Sequence, residues 1–152
     1  MKNFKVLLVD DETEFVNTLH ERLRLRDLDS EVAYDGEQAL ELFKQDEIPD
    51  VVILDLKMPG IDGMEVLRRI RKVYSQVQVI MLTGHGTDKD EKEAKELGAF
   101  AYLKKPVDLN TLVQTMKAAF KRLEDSMVAA AFAEEGEFST AKTIMEKGKE
   151  EK

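Results

Sequence analysis

Five short apolar runs punctuate the chain: "VLLV" at 6–9, "VAY" at 32–34, "VVIL" at 51–54, "VIML" at 79–82 and "AFAYL" at 99–103. They do not alternate with polar residues, and unalternating runs of strand length suit strands covered on both faces, as in a parallel sheet. Between them, apolar residues recur at helical spacing. Phe15, Val16, Leu19 and Leu23 make one stripe, Ala39, Leu40 and Phe43 a second, Met64, Leu67 and Ile70 a third, and Ala94 with Leu97 a fourth. The fifth and longest holds Leu109, Leu112, Val113, Met116, Phe120 and Leu123. Gly98 stands where a helix stop belongs and Asp108 where an N-cap belongs. Strand and helix thus alternate five times, which predicts an α/β doubly wound domain, a five-stranded parallel sheet with helices on both faces. In such sheets function sits beyond the carboxyl ends of the strands.

Past Leu123 the texture changes. Residues 124–152 are first Ala-rich, then turn-like at Glu135-Gly136-Glu137, then carry Ala141, Ile144 and Met145 at helical spacing, with Ser139 or Thr140 as a cap. They predict a helical hairpin or extension on the fifth helix, charged and frayed from Lys147, and not an independent output domain. The expected division is 1–123 and 124–152. One hairpin cannot bury its own apolar face. It either caps the first domain or extends the fifth helix into a dimer or partner-docking surface.

Composition narrows the function classes. With 152 residues the chain has room for one real core. Its 23 Lys and Arg face 31 Asp and Glu, a formal charge of −8, with no basic stripe. Residues 124–152 hold eight acids and four bases. Nucleic-acid reading, which needs clustered cations, is therefore not expected. The absence of cysteine excludes disulfides, thiolate metal sites and Cys nucleophiles. No run of eighteen apolar residues occurs, and the first apolar run is too short for a signal peptide, so no membrane partner and a cytoplasmic location are expected.

The chemistry lies in what ends each strand. The first run ends in Asp10-Asp11, the third in Asp55, the fourth in Thr83-Gly84, and the fifth is followed by Lys104-Lys105-Pro106. Asp55 is the sharpest case, because a carboxylate beside a hydrophobic core is costly unless something meets it. If strands one, three, four and five lie side by side, three carboxylates, a hydroxyl and an ammonium converge. Three close carboxylates raise one another's pKa unless a cation sits among them. A hard divalent ion, Mg²⁺ by availability, fits Asp11 and Asp55. Cation and Lys together would neutralise the oxygens of a phosphoryl group, letting a carboxylate act as nucleophile and form an acyl phosphate, with Thr83 touching a phosphoryl oxygen. Singly, these features read as a helix cap, a turn, a loop and a surface lysine. Their joint placement at four strand ends is what reads as a site.

The motifs "VLLVDDE", "VVILDLKMPGIDGMEVL", "VIMLTGHG" and "GAFAYLKKPVD", in that order, resemble the receiver domain of two-component response regulators, over about four fifths of the chain. The resemblance implies a flavodoxin-like sheet of order 2-1-3-4-5 and a bacterial, cytoplasmic signalling protein that is not an enzyme beyond assisting its own phosphorylation and dephosphorylation. It implies that Asp55 accepts phosphate from a sensor histidine kinase or phosphotransfer protein. Mg²⁺ would be held by Asp10, Asp11, Asp55 and the backbone carbonyl of Lys57. Thr83 and Lys105 would contact the phosphoryl group, and Lys105-Pro106 would form a cis peptide. Lys105 is preferred to Lys104 because it directly precedes Pro106. Tyr102 matches the family's switch aromatic, whose ring turns into space that Thr83 vacates on phosphorylation. The face of helix four, strand five and helix five would then change, for a downstream protein target or a homodimer. Lys57 and His85 flank the expected path of the hydrolytic water. Two alternatives stand beside this reading. A Mg²⁺-dependent phosphohydrolase with an aspartyl nucleophile would want a carboxylate where Lys57 stands. A receiver-like adaptor that is not phosphorylated would not need the intact set of Asp10, Asp11, Asp55, Thr83 and Lys105.

Overall fold

The alternation of strand and helix closes into one doubly wound sheet. The computed structural model describes residues 3–45 and 48–134. Its elements run β1 (Val6–Val9), α1 (Thr13–Arg24), β2 (Ser30–Ala33), α2 (Gly36–Leu42), β3 (Val51–Leu54), α3 (Gly63–Val73), β4 (Gln78–Thr83), α4 (Asp88–Glu96), β5 (Ala101–Lys104) and α5 (Leu109–Glu134). The strands are all parallel, in the order β2-β1-β3-β4-β5.

Residues of β1, β3 and β4 are buried without exception, which explains their unbroken apolar runs. Successive side chains leave a strand on opposite faces. Leu7, Val9, Val52, Leu54, Val79 and Met81 pack on one face with Ala39, Leu67, Ile70 and Ala94 of α2, α3 and α4 and with Phe43 just past α2. Val6, Leu8, Val51, Ile53, Ile80 and Leu82 pack on the other with Val16, Leu19, Leu23, Leu112 and Met116 of α1 and α5. Three helices start on side-chain caps, Asp35 for α2, Asp62 for α3, and for α4 a reciprocal capping box between Thr87 and Asp90, whereas α1 has none. The Asp108 carboxylate accepts the Thr111 N–H at the start of α5. Gly98, at φ 100°, takes the left-handed conformation that stops α4.

The two edge strands sit differently from their apolar runs. β2 occupies Ser30–Ala33, so Tyr34 falls outside it, and β5 occupies Ala101–Lys104, leaving out Ala99 and Phe100. An edge strand is paired on one side alone, so its neighbour sets its extent: Val6 pairs with Ser30 and Ile80 with Ala101. Helix α5 passes through the expected division after Leu123 and continues to Glu134, with Met127 and Val128 exposed. The turn at 135–137 and the second helical stretch beyond it lie outside the described residues. Among the described residues no helix is long and apolar enough to cross a membrane.

Candidate functional site

Parallel register aligns the ends of the central strands. Val9 pairs with Leu54, and Leu54 with Met81. The ladder then continues one residue, the Asp55 N–H donating to the Val9 carbonyl at 2.9 Å and the Asp10 N–H to the Ala33 carbonyl at 3.1 Å. Asp10 and Asp55 therefore end adjacent strands side by side. Both are buried, as is Thr83 at the end of β4, while Asp11 faces solvent. Carboxylate oxygens of Asp10, Asp11 and Asp55 lie within 4.8 Å of one another.

The two buried acids have defined partners. Asp55 Oδ1 accepts the Leu56 N–H at 2.9 Å, which orients the carboxylate. Asp10 Oδ1 accepts the Glu12 N–H at 2.9 Å, and its Oδ2 accepts from Lys105 Nζ at 2.7 Å. Lys105 Nζ also donates to Glu12 Oε1 at 2.9 Å and sits 4.1 Å from the centroid of the Phe15 ring. Lys104 points away, its side chain 63% exposed and 3.9 Å from Asp88, so of the two lysines only Lys105 enters the site. The Lys105–Pro106 peptide is cis. Thr83 Oγ1 accepts the His85 N–H at 3.2 Å. Lys57 and His85 are exposed. Tyr102, from β5, is buried, and its hydroxyl is enclosed with no hydrogen-bond partner. Sequence reasoning missed Glu12, Phe15 and Gly86, the last of which lies against the Tyr102 hydroxyl. The one signal for Glu12 was a third acid directly after Asp10-Asp11.

The electrostatics fit a cation. Burial pushes the Asp55 carboxyl above its ordinary 3.8, and the Asp10 charge pushes it further, against the opposing pull of Lys105, Thr83 and the Leu56 N–H. Burial likewise raises Asp10, although Lys105 and the Glu12 N–H oppose it. Burial alone would lower the Lys105 ammonium, but its bonds to Asp10 and Glu12 outweigh that and leave it raised. The all-oxygen donor set, two buried acids short of counter-charge and one exposed acid at the opening suit a hard divalent ion.

Linkage turns these shifts into an expected result. A carboxyl whose folded pKa is raised binds more protons folded than unfolded, so stability falls as pH climbs from 3.8 through the folded value. Glu21, Glu65, Asp90 and Glu91 are lowered by their partners and act in the opposite sense, losing stability as pH falls toward and below the ordinary range. The chain stripped of divalent ions should melt higher at mildly acidic pH than at pH 7, and saturating Mg²⁺ should erase that difference by raising the pH 7 value. Melting curves insensitive to Mg²⁺ at pH 7 would count against a cation among these acids.

A flavodoxin-like sheet whose strand ends gather acids, a hydroxyl and an ammonium defines a class of domain that handles a small oxyanion beside a hard cation. The chain matches the response regulator receiver domain over residues 6–117, and it belongs to that family. Solved structures agree. A receiver domain protein from Clostridium thermocellum is similar at 34% identity and a TM-score of 0.75, over 80% of this chain and 97% of that one. A CheY-like receiver domain protein from Methanospirillum hungatei shares 25% identity at a TM-score of 0.76, over 82% and 99%. A structure described as adenylate cyclase from Rhodopirellula baltica shares 27% at 0.78, over 88% and 98%. Receiver domains are phosphoacceptor signalling domains that bind Mg²⁺ through acidic residues, and this chain gathers the acidic residues Asp10, Asp11 and Asp55 in one cluster.

Proposed function

We propose that the chain is a cytoplasmic response regulator in which Asp55 takes a phosphoryl group from a phosphohistidine on a sensor kinase or phosphotransfer protein. The observation that carries this is the meeting of buried Asp55 with Asp10, Asp11, Thr83 and Lys105 at one end of the sheet. Asp55, oriented by the Leu56 N–H, attacks phosphorus through a carboxylate oxygen. The P–N bond of the donor breaks, its electron pair returns to the imidazole ring, and an acyl phosphate forms. Asp10, Asp11, Asp55 and the Lys57 carbonyl would hold Mg²⁺, which when bound offsets the negative charge of the phosphoryl oxygens. Lys105 supplies a second positive charge, and the Thr83 hydroxyl contacts a phosphoryl oxygen. Incubation with acetyl phosphate and Mg²⁺ should add a single phosphate by intact mass; no adduct from acetyl phosphate or from a phosphorylated kinase would overturn the reading.

The signal leaves through Thr83 and Tyr102. The ring is already buried, and Thr83 stands buried at the end of β4. Phosphorylation therefore shifts an existing equilibrium toward this arrangement. The face of α4, β5 and α5 is then offered to a downstream protein or a second copy, with the extension of α5 as the alternative dimer surface. Gly86 makes room for the inward ring: a Cβ there would lie 1.6 Å from the Tyr102 hydroxyl. Gly86→Ala should drive the ring outward, and nitration of Tyr102 by tetranitromethane, mapped by peptide mass, should rise several-fold. Unchanged nitration would mean that the loop yields instead, and that Gly86 does not set the ring's position.

A further inference from the structure

The Lys105 ammonium is held on three sides, by Asp10, by Glu12 and by the Phe15 ring, and its hydrogen bonds go to Asp10 and Glu12. The two carboxylates differ. Asp10 is buried, whereas the Glu12 side chain is 53% exposed. Glu12 also stands at the N-cap of α1, where a side chain ordinarily bonds the first free N–H groups of the helix, yet it makes no such bond. The Asp10 carboxylate takes up the Glu12 N–H instead. The Glu12 carboxylate is thereby free of the helix and committed to Lys105.

We infer that Glu12 is a positioning residue that holds the Lys105 ammonium in reserve: the phosphoryl group must draw Lys105 off Glu12, and the cost of that exchange slows the loading of Asp55. This rests on Asp55 being the acceptor. Asp10 keeps Lys105 at the site, and the Glu12 contact is the one that yields, because it is open to solvent on the Glu12 side, where water can replace it. An incoming dianion offers the ammonium a stronger partner. The effect is modest for the same reason, about two- to fivefold in rate for a pair open to solvent on one side.

The test follows phosphate uptake from acetyl phosphate with Mg²⁺ by intact mass, in the full chain and in variants checked by circular dichroism. Glu12→Gln should load about two- to fivefold faster than the unsubstituted chain. Glu14, two residues further along and exposed, bonds nothing at the site, so Glu14→Gln removes an equal charge as a control. The decisive readout is the double-mutant cycle with Lys105→Met, followed over hours because loading there is slow. If Glu12 acts through Lys105, Glu12→Gln changes nothing in that background. Acceleration that persists without Lys105, or that Glu14→Gln reproduces, overturns the inference in favour of bulk charge acting on the anionic donor. A Glu12→Gln rate equal to or below the parent's overturns it as well, while leaving the acceptor assignment intact. An unsubstituted chain that takes no phosphate from any donor overturns both.

Discussion

Asp55→Asn should take up no phosphate from acetyl phosphate and Mg²⁺ under conditions in which the unsubstituted chain gains one. The amide is nearly isosteric with the carboxylate and keeps an oxygen for the Leu56 N–H, so the strand end should hold its geometry. What it loses is the nucleophilic oxygen and one negative charge. The loss of charge gives the variant a second signature, opposite to that of an ordinary buried substitution. Burial and the Asp10 charge both work against an ionised Asp55, so removing that charge relieves the folded state. Without divalent ions at pH 7 the variant should melt higher than its parent, by a few degrees if the relief is about 1 kcal/mol. Mg²⁺ should then stabilise the variant less than it stabilises the parent, because one ligand of the cluster is gone. Intact mass and melting curves on the same two samples check all three results. An adduct that survived in Asp55→Asn would move the acceptor to another group, Asp10 or Asp11 first. A melting temperature that fell would mean that the carboxylate is structurally satisfied as it stands.

The same physics explains what could be read from the residues alone. β1, β3 and β4 were legible because strands buried on both faces must be apolar throughout. Their carboxyl ends were legible for the converse reason: an Asp where such a run stops has no bland partner inside the core. Asp10 and Asp55 were singled out in that way, and Thr83 as the hydroxyl that ends the fourth run; the observed strand order brings the three together. The extents of β2 and β5 were less legible, since one-sided pairing sets them from the neighbour. Glu12 and Phe15 stayed hidden because the direction of a side chain at a helix start depends on what stands opposite it, here a lysine 93 residues away from Glu12. Gly86 read as part of a flexible loop. That it leaves room for Tyr102 emerges only when β5 is laid beside β4.

Gly63→Ala should be the most damaging small substitution near the site, and it acts on the backbone behind Asp55. Gly63 opens α3, is buried, and donates its N–H to the Leu56 carbonyl at 2.8 Å. A Cβ built on it would lie 2.0 Å from the Asp55 carbonyl oxygen and 2.8 Å from the Leu56 Cα. Those are backbone atoms at the end of a central strand, and they cannot swing aside as a side-chain tip would. Helix α3 has to move instead, against Met64, Val66, Leu67 and Ile70, all buried in the core. Overpacking of this kind costs about 1–3 kcal/mol, and weakening the Gly63 hydrogen bond adds about 1 more. The melting temperature should fall by roughly 6–12 °C, at a few degrees per kcal/mol for a chain of this size. Phosphate uptake should fall with it even below the melting transition, because the displaced carbonyl belongs to the acceptor residue. Gly84→Ala is the matched control: its Cβ would meet nothing closer than the Lys105 side chain at 3.7 Å, an ordinary contact, and the variant should melt with the parent. If Gly63→Ala also melted with the parent, α3 would have to slide without cost, and the tight backing of Asp55 by α3 would not be what holds the acceptor in place.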